Sequence, residues 1–289
     1  MILVTGASGF VGRHVTRTLA ESGVHVRAMV RTARGAQALD GIACELVRGD
    51  VTDPASLRAA ARGMRTIVHL VAIVEGAPAA FERVMAAGTG NLVEAARESG
   101  VRRIVLMSAL GTGPNATVPY FRAKWAAEQA VRGSGIDHVV LRPSFVFGAS
   151  GGALPRFTRI ARLFPLTPVI GPGTQRLQPI WIDDVVRAVR LAADGEGANG
   201  PVELGGPDAV TWSDFWRRLK AALGTRRPSI HAPIVPRPRG RQACGIRASS
   251  AAPSASRTGS SSIRSSTSWK KPRTISRSAS ARGRPRAIR

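Results

Sequence analysis

The chain opens on Met1-Ile-Leu-Val-Thr5, an apolar run of strand length. It passes directly into Gly6-Ala7-Ser8-Gly9-Phe10-Val11-Gly12, after which Val15 and Leu19 recur at helical spacing. A strand that turns through closely spaced glycines into a helix is a restrictive beginning. Gly6 permits a tight turn after the strand, Gly9 lets the backbone approach a pyrophosphate, and Gly12 lets the helix pack closely on the strand. Free amides at the helix N-terminus, reinforced by the helix dipole, favour a bound anion. The segment Thr5, Gly6, Ser8, Gly9, Phe10, Val11 and Gly12 is therefore expected to hold a dinucleotide.

The first half of the chain then alternates short apolar runs with helical stretches. Val24–Val30, Cys44–Arg48, Thr66–Val71, Arg103–Met107 and His138–Leu141 read as further strands. Asp53 followed by Pro54 reads as a helix N-cap with proline at the first helical position. Phe81, Val84, Met85, Gly88 and Leu92 read as one face of a single helix. Strands separated by helices imply right-handed crossovers and a parallel sheet covered on both faces, an α/β doubly wound fold of the Rossmann type. Its ligand crevice lies at the carboxyl ends of the strands. Beyond Gly148 the pattern loosens. Asp183 or Asp184 is expected to cap a helix bearing Val185, Val189 and Ala192, and Thr211 or Ser213 to begin another that reaches about Leu223. The expected organisation is a nucleotide-binding core over 1–148 and a small lobe over 149–235. Within the lobe, segments near 178–195 return to the core. A basic tail follows over 236–289.

The formal charge of +24 suggests nucleic acid until its distribution is read. Nineteen of the 42 basic residues follow Asp214, the last acidic residue, so the first 214 residues carry 23 basic and 18 acidic groups. The extreme charge belongs to the tail, which is rich in Arg, Ser, Ala and Pro and lacks apolar periodicity. Two readings of the tail stay open: a disordered basic segment, or out-of-frame translation of a GC-rich gene past about codon 236. No specific nucleic-acid partner is expected. There is no apolar run of about eighteen residues that would span a membrane. The opening directly on a core strand leaves the expectation of no signal peptide. Two distant cysteines and five scattered histidines offer no metal spacing, so no metal is expected. These features place the chain in the cytoplasm or at the periphery of the inner membrane.

Tyr120 is the only tyrosine, and Lys124 is the only lysine before Lys220. Four residues apart on a helical stretch, they share one helix face. A phenol with pKa near 10 is a poor base at neutral pH, and a neighbouring ammonium lowers that pKa. The pair suits proton transfer, with Tyr120 as acid/base and Lys124 as its tuner and as a ligand for the ribose hydroxyls.

Thr-Gly-x-x-Gly-x-x-Gly at Thr5–Gly12, with Tyr-x-x-x-Lys at Tyr120–Lys124, resembles the short-chain dehydrogenase/reductase superfamily, in its extended, NAD-dependent epimerase/dehydratase-like branch. The resemblance covers residues 1 to about 230. Leu-Met-Ser-Ala-Leu-Gly and Tyr-Phe-Arg-Ala-Lys-Trp are most similar to bacterial relatives of the nucleotide-binding accessory subunit of respiratory complex I. The resemblance implies a substrate-binding hydroxyl after the fifth strand: Ser108, or Thr112 in its stead, because Ala109 and Leu110 stand where relatives often carry that group. It also implies cofactor contacts from Asp50 and Val51, from Leu70 and Ala72, and from Pro143. Met85 stands where extended members often carry Asn, and Asn91 matches a later, structural position. The second strand ends in Val30-Arg31 with no acid for a ribose, and Arg31 suits a 2′-phosphate, so NADP(H) is favoured over NAD(H). The expected function is hydride transfer between a nicotinamide and a carbinol or carbonyl of a small molecule, a nucleotide sugar or a quinone-related compound. The alternative is a non-catalytic NADP(H)-binding accessory subunit. Partners would then be a second copy of the chain or a respiratory complex.

Overall fold

A computed structural model of the chain describes residues 1–148, 151–152 and 154–232. The expected tail over 236–289 lies outside the described residues. The core is a seven-stranded sheet built from β1 (Ile2–Thr5), β2 (Val26–Val30), β3 (Glu45–Arg48), β4 (Thr66–His69), β5 (Arg103–Met107), β6 (Asp137–Pro143) and β7 (Gly200–Leu204). Its order is β7-β6-β5-β4-β1-β2-β3, and every pairing is parallel. The chain winds outward from β1 to β3, crosses back to place β4 beside β1, and winds outward again. The Rossmann-type α/β reading holds. β7 was not legible, since Gly-Pro-Val-Glu-Leu carries two residues that strands disfavour.

Helices cover both faces. On one lie α1 (Phe10–Glu21) and α2 (Ile182–Ala193), whose Val15, Leu19, Val185 and Val189 pack on Val4, Val68 and Val105. On the other, α3 (Pro54–Ala61) and α4 (Gly88–Glu98) place Leu57, Ala60, Leu92 and Ala96 against Leu3, Ile67 and Ile104. The alternate residues of each buried strand therefore face different helices, as a two-faced core requires. Asp53 caps α3, its carboxylate accepting from the Ala55 amide at 3.0 Å.

Two local expectations are corrected. Phe81 to Leu92 do not lie on one regular helix: a short α-helical turn (Pro78–Phe81) leads into a π-helical segment (Glu82–Ala87), and only then does α4 begin. The extra residue per turn rotates the face, so Phe81, Met85, Gly88 and Leu92 are buried while Val84 is half-buried. Sequence periodicity cannot register an insertion of one residue. Nor does Asp183 or Asp184 cap α2. Trp181 occupies the cap position and makes no side-chain capping bond. Both aspartates sit in the first turn, where their charge opposes the positive end of the helix dipole, and Asp183 accepts the Trp181 indole N–H at 3.0 Å.

The lobe is built on α5 (Leu154–Leu163) and α6 (Trp212–Ala222), around Phe157, Trp212, Phe215 and Trp216. Thr211 caps α6, accepting from the Asp214 amide at 3.0 Å, as expected.

Candidate functional site

The carboxyl ends of β1 and β4 meet at the point where the winding reverses, the place where open α/β sheets hold their ligands. The turn after β1 fits a nucleotide. Gly6 has φ +74°, a conformation that side chains resist, and a Cβ there would lie 3.0 Å from the Leu70 carbonyl carbon and the Val71 nitrogen. A Cβ on Gly12 would come within 2.1 Å of the Gly6 carbonyl oxygen. The turn is thus closed against itself and against the segment that follows β4. Gly9 precedes α1, which has no side-chain cap and no acid in its first turn, so its leading amides suit an anion. Phe10 lies against Gly148 and Gly151, where any side chain would strike its ring. Ser8 and Val11 are half-buried.

A buried polar chain supports this turn, and sequence reading missed it. Thr89 donates its hydroxyl proton to the Met85 carbonyl at 2.6 Å, within the π-helical segment, so it can only accept from His69 Nε2, 3.0 Å away. The imidazole therefore carries its proton on Nε2 and accepts the Thr5 hydroxyl at Nδ1, at 2.6 Å. Burial, assisted by the Lys124 charge, pushes His69 down to about 3. The sequence signal was slight: a single polar residue closing an apolar strand, and a threonine four residues after Met85.

At the β2–β3 side, Arg31 is exposed and lies 3.8 Å from Asp50. An acid is therefore present beside Arg31 after all, delivered from the neighbouring strand. Burial pushes the Asp50 carboxyl up. The bonds it accepts from the Thr52 amide and hydroxyl, with the charges of Arg31 and Arg83, outweigh this and hold it below the usual range. Val51 is buried, and its carbonyl accepts from Asn91 Nδ2 at 3.1 Å. Leu70 donates its amide to the Thr5 carbonyl at 3.0 Å, and Ala72 is exposed just beyond it.

At the β5–β6 side, α7 (Pro119–Arg132) carries Tyr120 and Lys124 one turn apart. Tyr120 is half-buried, with edge contacts to Phe81 and Phe121 at ring separations of 6.1 and 5.2 Å. Lys124 is buried and donates to the Met107 carbonyl at 2.7 Å. Desolvation, opposed by the Glu128 charge, holds it down to about 8. Ser108 and Thr112 are both buried, 3.4 Å apart. The Ser108 hydroxyl donates to Glu128 Oε1 at 2.5 Å. Pro143 is buried, and its carbonyl accepts the Leu110 amide at 2.9 Å. The singled-out residues thus lie at strand ends, on loops or in the first two turns of helices along the carboxyl edge of one sheet. Among the described residues no group of His, Cys, Asp and Glu could hold a metal ion, and no helix is long and apolar enough to cross a membrane.

Comparison with known proteins agrees with this geometry. Residues 6–154 match the family model described as NAD(P)H-binding. A ceramide reductase of Caulobacter vibrioides is 29% identical over 236 residues, 81% of this chain and 74% of that protein. Sterol demethylase protein B of Methylococcus capsulatus is 34% identical, over 80% of this chain and 77% of its own length. The mitochondrial NADH dehydrogenase 1 alpha subcomplex subunit 9 of Arabidopsis thaliana is 29% identical over 72% of this chain but only 54% of its own length. Among solved structures, UDP-glucose 4-epimerase of Thermotoga maritima with UDP-glucose superposes with a TM-score of 0.70 at 25% identity, covering 80% of this chain and 85% of the epimerase. The chain belongs to the NAD(P)H-binding family, as an extended short-chain dehydrogenase/reductase of the NAD-dependent epimerase/dehydratase type that binds a nicotinamide nucleotide.

Proposed function

We propose that the protein is an NADP(H)-dependent oxidoreductase acting on a carbinol or carbonyl carbon of a small molecule. The observation that carries this reading is the buried Lys124 one helical turn from Tyr120, at the carboxyl edge of the sheet that holds the nucleotide turn. A nicotinamide nucleotide, when bound, would supply the hydride chemistry at C4. Tyr120 gives a proton to the developing alkoxide in reduction and takes it back in oxidation. Lys124, held by the Met107 carbonyl, favours the phenolate and reaches the ribose hydroxyls. Thr112 or Ser108 holds the substrate oxygen. Thr5 to Gly12 would hold the pyrophosphate, Asp50 and Val51 would meet the adenine, the backbone of Leu70 and Ala72 would run beneath the cofactor, and Pro143 would stand beside the nicotinamide. Arg31 supports preference for a 2′-phosphate. Residues 1–148 form the nucleotide-binding core, and 149–235 supply the substrate lobe. The reductase, epimerase and dehydrogenase names among the relatives support chemistry of this class.

The test is calorimetric titration with NADPH and NADH, followed by oxidation and reduction assays on nucleotide sugars, sterols, long-chain alcohols and quinones. Tight nucleotide binding with turnover on any of these supports the enzyme. Binding without turnover favours the second reading, an accessory subunit. That reading is supported by the plant relative and by the exposed run Arg162-Leu-Phe-Pro-Leu166, in which Leu163 is 64% and Phe164 55% exposed, a surface suited to a partner protein or membrane periphery.

A further inference from the structure

Glu128 takes no part in the mechanism above, yet it is completely buried. Arg142, reaching over from β6, grips it with two bonds, Nε to Oε1 at 2.9 Å and Nη2 to Oε2 at 2.6 Å. The same Oε1 accepts the Ser108 hydroxyl. Glu128 also lies one turn beyond Lys124 on α7, so Tyr120, Lys124 and Glu128 form one row on the helix face. A buried ion pair is a poor source of stability, because an apolar pair of equal volume does as well or better. Its value here is what it does to its neighbours. A serine has one hydroxyl proton, and at 2.5 Å from a carboxylate that proton points inward, leaving Ser108 with lone pairs for any other partner.

We propose that Glu128 is a positioning residue of the Tyr120/Lys124 site: clamped by Arg142, its carboxylate turns Ser108 into a hydrogen-bond acceptor and supplies the counter-charge beside Lys124. The proposal rests on the reading of Tyr120 and Lys124 as the proton-transfer pair. It assigns donation to the substrate oxygen to Thr112 or Tyr120 and withholds it from Ser108. The titratable and charged groups around Lys124 are few. Tyr120 and Glu128 come from its own helix, neutral His69 from β4, and Arg142 from β6 behind Glu128; Glu82 and Arg83 of the adjacent π-helical segment are exposed.

The chain has only four lysines, Lys124, Lys220, Lys270 and Lys271, so ¹³C-lysine labelling of the full chain gives four Cε signals, with Lys124 assigned by Lys124→Met. Following these signals against pH needs no substrate. Glu128→Gln keeps the shape and removes the charge, and the Lys124 midpoint is expected to fall by about one pH unit. Arg142→Gln removes a like charge, and the midpoint is expected to rise. The two opposite shifts distinguish positioning from packing, and each variant stands in for the other if one fails to fold. With a substrate in hand, Glu128→Gln lowers kcat and moves the alkaline limb of its pH profile downward at unchanged KM for the cofactor. A Lys124 midpoint unmoved in both charge variants overturns the proposal, as does a Glu128→Gln variant that keeps the parent kcat and pH profile. Absence of NADPH binding in the parent would instead defeat the functional reading, and leave the lysine titration to judge Glu128 alone.

Discussion

Two arginine–carboxylate pairs stand at opposite ends of the same crevice, and they are not equivalent. Arg142 and Glu128 meet at 2.6 Å with side chains 13% and 0% exposed; Arg31 and Asp50 approach only to 3.8 Å with side chains 69% and 31% exposed. Coulomb attraction between the same charges is several times stronger away from water, and so is the cost of leaving either one alone. The inner pair is consequently obligatory and holds Ser108 in one orientation. The outer pair is screened and adjustable, as the proposed recognition of a cofactor group requires. The proposed chemistry thus sits beside the rigid end, and the proposed cofactor choice beside the soft one.

The largest expected effect lies at the rigid end. Tyr120→Phe removes one hydroxyl from a half-buried ring whose contacts to Phe81 and Phe121 persist. Turnover is expected to fall by about two to four decades, the usual share of general acid–base catalysis, with NADPH affinity unchanged by calorimetry. Unchanged turnover would remove Tyr120 from the reaction.

Next comes the inner pair itself. Glu128→Ala strands the Arg142 guanidinium in the interior and should lower unfolding free energy by roughly 3–5 kcal/mol in denaturant titrations. Asp50→Ala, by the same measurement, should cost less than about 1 kcal/mol. Equal losses would erase the contrast between the two ends.

The buried His69 makes the rigid end sensitive to acid. Its folded pKa of about 3 lies below the ordinary 6.5, so on acidification the unfolded chain takes up the proton first. Its contribution is intact above pH 6.5 and is lost at roughly 1.4 kcal/mol per pH unit as pH falls from there towards 3. The slope of unfolding free energy against pH, compared between the parent and His69→Leu, measures it. Parallel slopes would mean that another group carries the acid sensitivity.

Legibility divided along the same line. The glycine turn, the Tyr120–Lys124 spacing and β5 could be read because each is local: glycine conformation, a four-residue helical offset and an apolar run all lie within a few residues. Glu128 could not be read, because its partners come from the strand after its helix and from the loop before it, and in sequence it looks like a solvated helix glutamate. The Thr5–His69–Thr89 chain spans three elements and was equally invisible. The end of β2 visibly offers Arg31 no acid of its own. Asp50 was read as a separate contact, since only the parallel pairing of β2 with β3 brings the two together.

The smallest effects are expected at that outer pair, and they have opposite signs. Arg31→Ala removes a partner for a 2′-phosphate, and NADPH binding should weaken by about 1–2 kcal/mol, less than a buried charged bond because water competes at this site. NADH, which lacks that phosphate, should bind as before. Asp50→Asn keeps an oxygen to accept from Thr52 but withdraws a negative charge 3.8 Å from Arg31. The arginine is then released from its carboxylate, and a phosphate no longer faces a like charge. NADPH binding should tighten by about 0.5–1 kcal/mol at low salt, and the gain should shrink as ionic strength rises. Calorimetry with both cofactors at two salt concentrations reads all four changes. If Arg31→Ala weakens NADH and NADPH equally, Arg31 contacts the adenine or the common ribose and does not discriminate. If Asp50→Asn weakens NADPH, Asp50 holds the nucleotide directly, and cofactor choice does not reside in the soft pair.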